Sequence, residues 1–298
     1  MQKIKLSQQN LKFFFSPVGP FHSWHTESYW PYDFVDRNSK TLFVTIGDSW
    51  TWGSGVVNGF IDMSSGVQTQ EKRKRHLYGN IISESKNYDW LNLGSYNIGN
   101  YWIADKVYEL RRLLPTLDYD KIIVHCLFTG VGRWFDTWQD SLDNHKKFFE
   151  SDVGTDTQDY ENFLIDLNRK QIAKIQLLFS TVDKVELYIG SNAVELCGAD
   201  KLPKKQVIDK PWYHLLTDTR LNDIFVDTEC LKYLPNIENY LISKDQKFAF
   251  QKWMMEKIEQ AETQLKMLGG MRCVAEDKCH TNAEGHEIYA QYILGKVL

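Results

Sequence analysis

The sequence predicts an α/β fold: a three-layer α/β/α sandwich around a mostly parallel sheet of about five strands. Two observations carry this. Short apolar, β-branched runs lack hydrophobic alternation, as in 41–46 (Leu42, Phe43, Val44, Ile46) and 121–128 (Ile122, Ile123, Val124, Leu127). A strand that is apolar on both sides is buried on both sides, which is the condition inside a parallel sheet. These runs also alternate with stretches of helical periodicity, the pattern of βαβ units whose crossovers cover both faces.

The elements follow in chain order. Residues 1–40 read as an irregular aromatic arm packed on the main domain, with Phe13, Phe14, Phe15, Phe21, Trp24, Tyr29, Trp30, Tyr32 and Phe34 broken by Pro17, Pro20 and Pro31. A stacking platform for sugars or a partner surface is the alternative. Strand one is 41–46, stopped by Gly47, and a helix follows over 77–85. Strand two is 90–93. Trp102, Ile103, Val107, Leu110 and Leu114 recur at helical spacing, so 100–114 is an amphipathic helix ended by Pro115. Strand three is 121–128. A helix over 159–182 carries Phe163, Leu164, Leu167, Gln171, Ile175 and Leu178 on one stripe, and strand four is 185–189. Further helices span 245–267 and 283–296. The last is introduced by Thr281 and Glu284, three apart as in a capping box. Both 224–226 and 271–274 qualify as the fifth strand.

Composition bounds the function classes. The 298 residues are 43% hydrophobic and 25% charged, the mix of an ordinary globular chain. The expected organisation is an arm over 1–40 and one domain over 41–298, with insertions at 130–158 and 191–244. A net charge of −4 gives no global field to attract phosphate backbones, so sequence-independent nucleic-acid binding is disfavoured. The five cysteines (Cys126, Cys197, Cys230, Cys273, Cys279) form no zinc-type pair spacing and read as reduced thiols. The N-terminus lacks the roughly 7–15-residue apolar stretch of a signal peptide. No apolar run reaches the roughly 18 residues of a membrane span. A cytoplasmic location is the expectation, with a viral particle or another export route as the alternative.

Both insertions follow strands. In an open α/β sheet, ligands bind beyond the carboxyl ends of the strands, so the insertions leave the scaffold on the ligand side. The basic run over 71–76 reads as a solvated loop, with an anion contact as its alternative.

The sharpest chemical signal is Gly47, Asp48 and Ser49 directly after strand one. A serine on a tight strand-to-helix turn exposes its hydroxyl above the sheet, where a substrate carbonyl can reach it. The second signal is Asp277 and His280, just before the last helix. A serine hydroxyl needs a base to become a nucleophile, and histidine titrates in the right range. A carboxylate three residues earlier can hold the imidazole in the productive tautomer. His125 lies inside an apolar strand and reads as a satisfied core histidine. Cys279 reads as incidental and His286 as the start of the last helix.

Together these clusters resemble the SGNH, or GDSL-like, hydrolase family. Gly47, Asp48 and Ser49 match its first block, and Asp277 and His280 its fifth. The stretch from Asn92 to Asn100 is similar to the second block, an Asn followed by a glycine-rich turn. The family places an oxyanion-hole backbone N–H there, which aligns with Asn97 or, alternatively, Gly99. The third block departs: Thr129 stands where the family has an Asn whose side chain stabilises the oxyanion. Losing one such donor costs about 10²–10³ in turnover. Thr129 substitutes for it, or Asn192 after strand four moves in, or the enzyme is slow.

The resemblance implies a flavodoxin-like sandwich and a serine esterase that needs no metal or organic cofactor. Ser49 attacks the ester, His280 shuttles its proton and Asp277 orients His280. The N–H groups of Ser49 and of Asn97 or Gly99, with the Thr129 hydroxyl, hold the oxyanion. Asp48, Trp50, Arg133, Trp134 and Asn192 are candidate substrate contacts. The expected partner is a small-molecule or carbohydrate ester, such as an O-acetylated polysaccharide. Two rivals remain: a glycan-binding structural or adhesion protein with little turnover, and an acyltransferase using the same triad.

Overall fold

The computed structural model describes residues 3–16, 32–56, 67–95, 98–129, 157–192, 206–216, 280–296 and 298. Its strands are β1 (Asp33–Val35), β2 (Thr41–Ile46), β3 (Asp89–Asn92), β4 (Lys121–Phe128) and β5 (Val185–Ser191). They form one sheet in the order β1-β3-β2-β4-β5. The four strands β3, β2, β4 and β5 run parallel, and β1 pairs antiparallel with β3 at the edge. The fold is therefore α/β with a mostly parallel sheet. Chain order reverses beside β2, since β3 lies on one side of it and β4 on the other. In such sheets the usual ligand position lies beyond the carboxyl ends of the strands at a reversal of this kind, here beyond β2.

The observed helices are α1 (Ser49–Trp52), α2 (Val67–Arg75), α3 (Tyr78–Lys86), α4 (Asn100–Leu113), α5 (Thr157–Ser180), α6 (Trp212–Leu216) and α7 (Ala283–Lys296). Period-two alternation sends Leu42, Val44 and Ile46 of β2, with Ile122, Val124 and Cys126 of β4, to one face of the sheet. There they meet Ile103, Val107 and Leu110 of α4 and Ile172 and Ile175 of α5. Phe43, Ile123 and Leu127 go to the opposite face, against Tyr78 and Ile82 of α3, Trp212 of α6 and Tyr289 and Ile293 of α7. β2 and β4 are buried along nearly their whole length, which is why neither shows alternation in sequence.

Several expectations need correction. The segments 224–226 and 271–274 lie outside the described residues; among the described residues the sheet's fifth strand is β1, within the stretch expected to be irregular. It is three residues long between aromatic and proline-rich segments, too short to show a period. The basic run over 71–76 is largely helix rather than loop, with Glu71, Lys72, Arg75 and His76 exposed. Residues up to Arg75 belong to α2, and Arg73 is buried at 2% exposure. The last helix is capped one residue later than the expected box, with Asn282 Oδ1 accepting from Gly285 N at 3.1 Å. Part of the 191–244 insertion packs into the core: Trp212 stacks on Tyr289 and donates to the Gly285 carbonyl at 3.2 Å. The helix expected over 245–267 lies outside the described residues.

His125 is a satisfied core histidine. Its Nδ1 lies 3.0 Å from Tyr78 Oη and its Nε2 3.3 Å from Tyr289 Oη. A neutral imidazole has one donor and one acceptor nitrogen, so one tyrosine donates and the other accepts. His286 sits in the first turns of α7 rather than at its start. It is fully buried, stacks on Tyr78 and accepts from Tyr78 N at 3.2 Å.

Burial pushes both histidines down to about 3, with the charges of Arg73 and His76 adding to the effect at His286. In the unfolded chain they titrate near 6.5. Between those values the unfolded state binds more protons, so stability rises with pH there. The stabilisation is complete above about pH 6.5 and erodes as pH falls toward 3. Urea midpoints should therefore drop between pH 7 and pH 5. Replacing His125 by Phe should flatten that slope even as it lowers the pH 7 midpoint, because two tyrosine hydroxyls lose their partner. An unchanged slope would show that these histidines do not set the acid response.

Candidate active site

β2 ends at Ile46 and the chain turns at once into α1. Asp48 caps that turn, its Oδ1 accepting from Trp50 N at 3.0 Å. Gly53, at φ +90°, closes it in the left-handed region that glycine favours, and its N–H returns to the Ser49 carbonyl at 2.9 Å. The one-turn helix thus has a fixed entry and a fixed exit, and Ser49 is its first residue. Two glycines let the turn sit this close to the sheet. A Cβ on Gly47 would stand 2.1 Å from Thr51 Oγ1. A Cβ on Gly94, in the loop after β3, would stand 2.7 Å from Trp52 N and 2.8 Å from the Thr51 carbonyl carbon. Because the latter neighbours are backbone, Gly94→Ala should cost about 1–3 kcal/mol by forced overpacking. Chemical denaturation of the variant measures that loss; an unchanged midpoint would mean that the turn and the loop can slide apart.

His280 meets the serine. Its Nε2 lies 2.8 Å from Ser49 Oγ, although 231 positions separate the two residues in sequence. With a neutral imidazole unprotonated at Nε2, the serine hydroxyl donates and the histidine is placed to take its proton. Asp277 lies outside the described residues, as do Asn97, Arg133 and Trp134.

The carboxyl ends of the other parallel strands converge on the same edge. Thr129, after β4, is gripped through its backbone by Asn100. Asn100 Oδ1 accepts from Thr129 N at 2.9 Å and its Nδ2 donates to the Thr129 carbonyl at 3.1 Å. Asn100 in turn donates to Asn168 Oδ1 at 3.0 Å, tying the end of β4 to α4 and α5. Gly99 is buried just ahead of α4 and its carbonyl accepts from Trp102 N at 3.1 Å. Asn192, after β5, donates from Nδ2 to Asp48 Oδ2 at 2.7 Å, while its buried Oδ1 has no partner among the described residues. One of its two amide hydrogens is therefore engaged by the cap residue.

Two expected substrate contacts face inward. Asp48 is buried at the cap. Trp50 is buried with its ring edge-on to Trp212, 5.4 Å between centroids. Asn100, Asn168, Asp33 and Arg73 escaped the sequence reading. The two asparagines have no local signature, and nothing in a run of four consecutive basic residues marks Arg73 as the buried one. Among the described residues, no group of three or more His, Cys, Asp or Glu is placed to hold a metal ion. None of the described helices is long and apolar enough to cross a membrane.

No protein-family model and no curated protein matches the chain. Among solved structures, a lipase from a goat rumen metagenome is similar over 86% of this chain and 97% of its own, at 12% identity and a TM-score of 0.36. A carbohydrate esterase, described for divergent catalytic and non-catalytic binding functions in its active site, is similar over 54% of this chain and 59% of its own. That likeness has 17% identity and a TM-score of 0.22. At these scores the site stands on its own geometry.

Proposed function

We propose that the chain is a serine hydrolase of the SGNH class that cleaves a carboxylic ester through an acyl-enzyme. The observation that carries this reading is the 2.8 Å contact between Ser49 Oγ and His280 Nε2 beyond the carboxyl edge of the sheet. Ser49 attacks the ester carbonyl as its proton passes to His280. The imidazolium then gives that proton to the leaving alkoxide. Water, deprotonated by the same histidine, cleaves the acyl-enzyme and regenerates the serine. Asp277 is assigned the orienting of His280. The oxyanion falls to the N–H of Ser49, the N–H of Asn97 or Gly99 and the Thr129 hydroxyl. No metal or organic cofactor enters these steps.

A carbohydrate ester, such as an O-acetylated sugar, is the substrate class we assign. The aromatic and arginine content of the segment after β4, including Arg133 and Trp134, supports it, since such side chains suit sugar faces and anions. The test is covalent. A serine-directed organophosphate should add to the peptide bearing Ser49 in the native chain and fail to add in His280→Ala. Labelling elsewhere, or labelling indifferent to His280, would sink the reading. Glycan binding without turnover, unaffected by Ser49→Ala, would favour the adhesion role instead.

A further inference from the structure

Behind the nucleophile turn lies a buried ion pair that the mechanism above does not use. Arg73 of α2 and Asp33 of β1 are 2% and 4% exposed. The guanidinium Nη2 donates to both Asp33 oxygens, at 2.9 and 2.7 Å. Its Nη1 donates to the carbonyl of Trp52, the last residue of α1, and the guanidinium lies 4.5 Å from the centre of the Trp52 ring. Asn92, at the end of β3, joins the same group. Its Nδ2 reaches Asp33 Oδ2 at 3.3 Å and the Thr51 carbonyl at 3.4 Å, while its Oδ1 accepts from Thr45 Oγ1 at 3.1 Å and Gly94 N at 3.0 Å. Lys74 Nζ stands 4.0 Å from Asp33 Oδ1 as a second, looser cation.

A buried ion pair is poor value as a stabiliser, because desolvating both charges offsets most of their attraction. This one is directed: its cation ends on the carbonyl at the C-terminal end of the one-turn helix that begins with Ser49. α1 has too few internal hydrogen bonds to hold itself, so its far end must be held from outside. We propose that Arg73 and Asp33 are positioning residues that fix the Ser49 turn against the sheet, so that a strand from the N-terminal segment completes the reactive site. The inference rests on the serine-hydrolase reading for its kinetic consequence, but not for its structural one.

The decisive variant is the double replacement Arg73→Met with Asp33→Leu in the full chain, which removes the pair without leaving a lone buried charge. Replacing such a pair by apolar side chains is often neutral or stabilising. Its melting temperature should therefore equal or exceed those of Arg73→Met and Asp33→Asn alone. Turnover of a short-chain aryl ester should still fall by about 10- to 10²-fold with KM within about twofold, since a displaced nucleophile loses rate rather than affinity. Arg73→Lys should recover part of that loss, because an ammonium keeps the charge without the fork. Deuterium exchange should speed up in the peptide covering 47–56, whose Trp52 and Gly53 amides bond to the Asp48 and Ser49 carbonyls. A double variant with native exchange over 47–56 and native turnover would overturn the proposal and leave the pair a fold-stabilising contact. A native chain inert to both ester and organophosphate would instead defeat the hydrolase reading, and exchange alone would then decide the positioning claim.

Discussion

Ser49→Ala is expected to lower turnover of a short-chain aryl ester by about 10⁴-fold or more, and His280→Ala by a similar amount. The two hold one hydrogen bond at 2.8 Å, so each is useless to the covalent route without the other. The double variant should accordingly be no slower than either single one, the non-additivity typical of groups that act as a unit. Ser49 is only 3% exposed and the lost atom is one oxygen, so the alanine variant should fold normally. Its circular dichroism and melting temperature serve as the control. Hydrolysis that survives Ser49→Ala would remove the serine from the mechanism. A double variant far slower than both singles would mean that the residues act in separate ways.

Thr129→Asn is expected to raise turnover, by about tenfold or more. A missing oxyanion donor costs about 10²–10³, and a threonine hydroxyl recovers only part of that because it is short. The backbone of Thr129 is held at both N–H and carbonyl by Asn100, so a longer side chain would be projected from a fixed base. The gain should appear in kcat and leave KM nearly unchanged, since the oxyanion forms only after binding. Thr129→Val, which keeps the shape and removes the donor, should move kcat the other way. If neither substitution changes kcat, Thr129 has no part in holding the oxyanion, and the site relies on backbone N–H groups alone.

Much of the scaffold was legible because it lies in long segments with a clear period. β4 is an eight-residue, mostly apolar run, α4 carries a clear apolar stripe, and α7 was marked by the polar residues at its start rather than by a period. β1 was not legible, because three residues cannot display a period. α2 was hidden for another reason: its run of Gln, Glu, Lys and Arg has no apolar stripe, and what anchors it is a charge paired with Asp33, forty positions earlier. Within the candidate site, the meeting of Ser49 and His280 was readable because the chemistry proposed for the serine needs a turn and a base. Asn100 and Asn192 were not readable as clamps, because an asparagine that grips backbone or carboxylate in three dimensions looks like any other in one.

The placement of β1 has a consequence for the margin of the sheet. As a three-residue antiparallel strand it occupies the outer side of β3, whose Asp89, Trp90, Leu91 and Asn92 are all buried. A chain starting after Val35 would bare a row of unpaired amides and carbonyls along β3, the kind of margin onto which another molecule adds its own strand. The strand from the N-terminal segment thereby closes the outer side of β3.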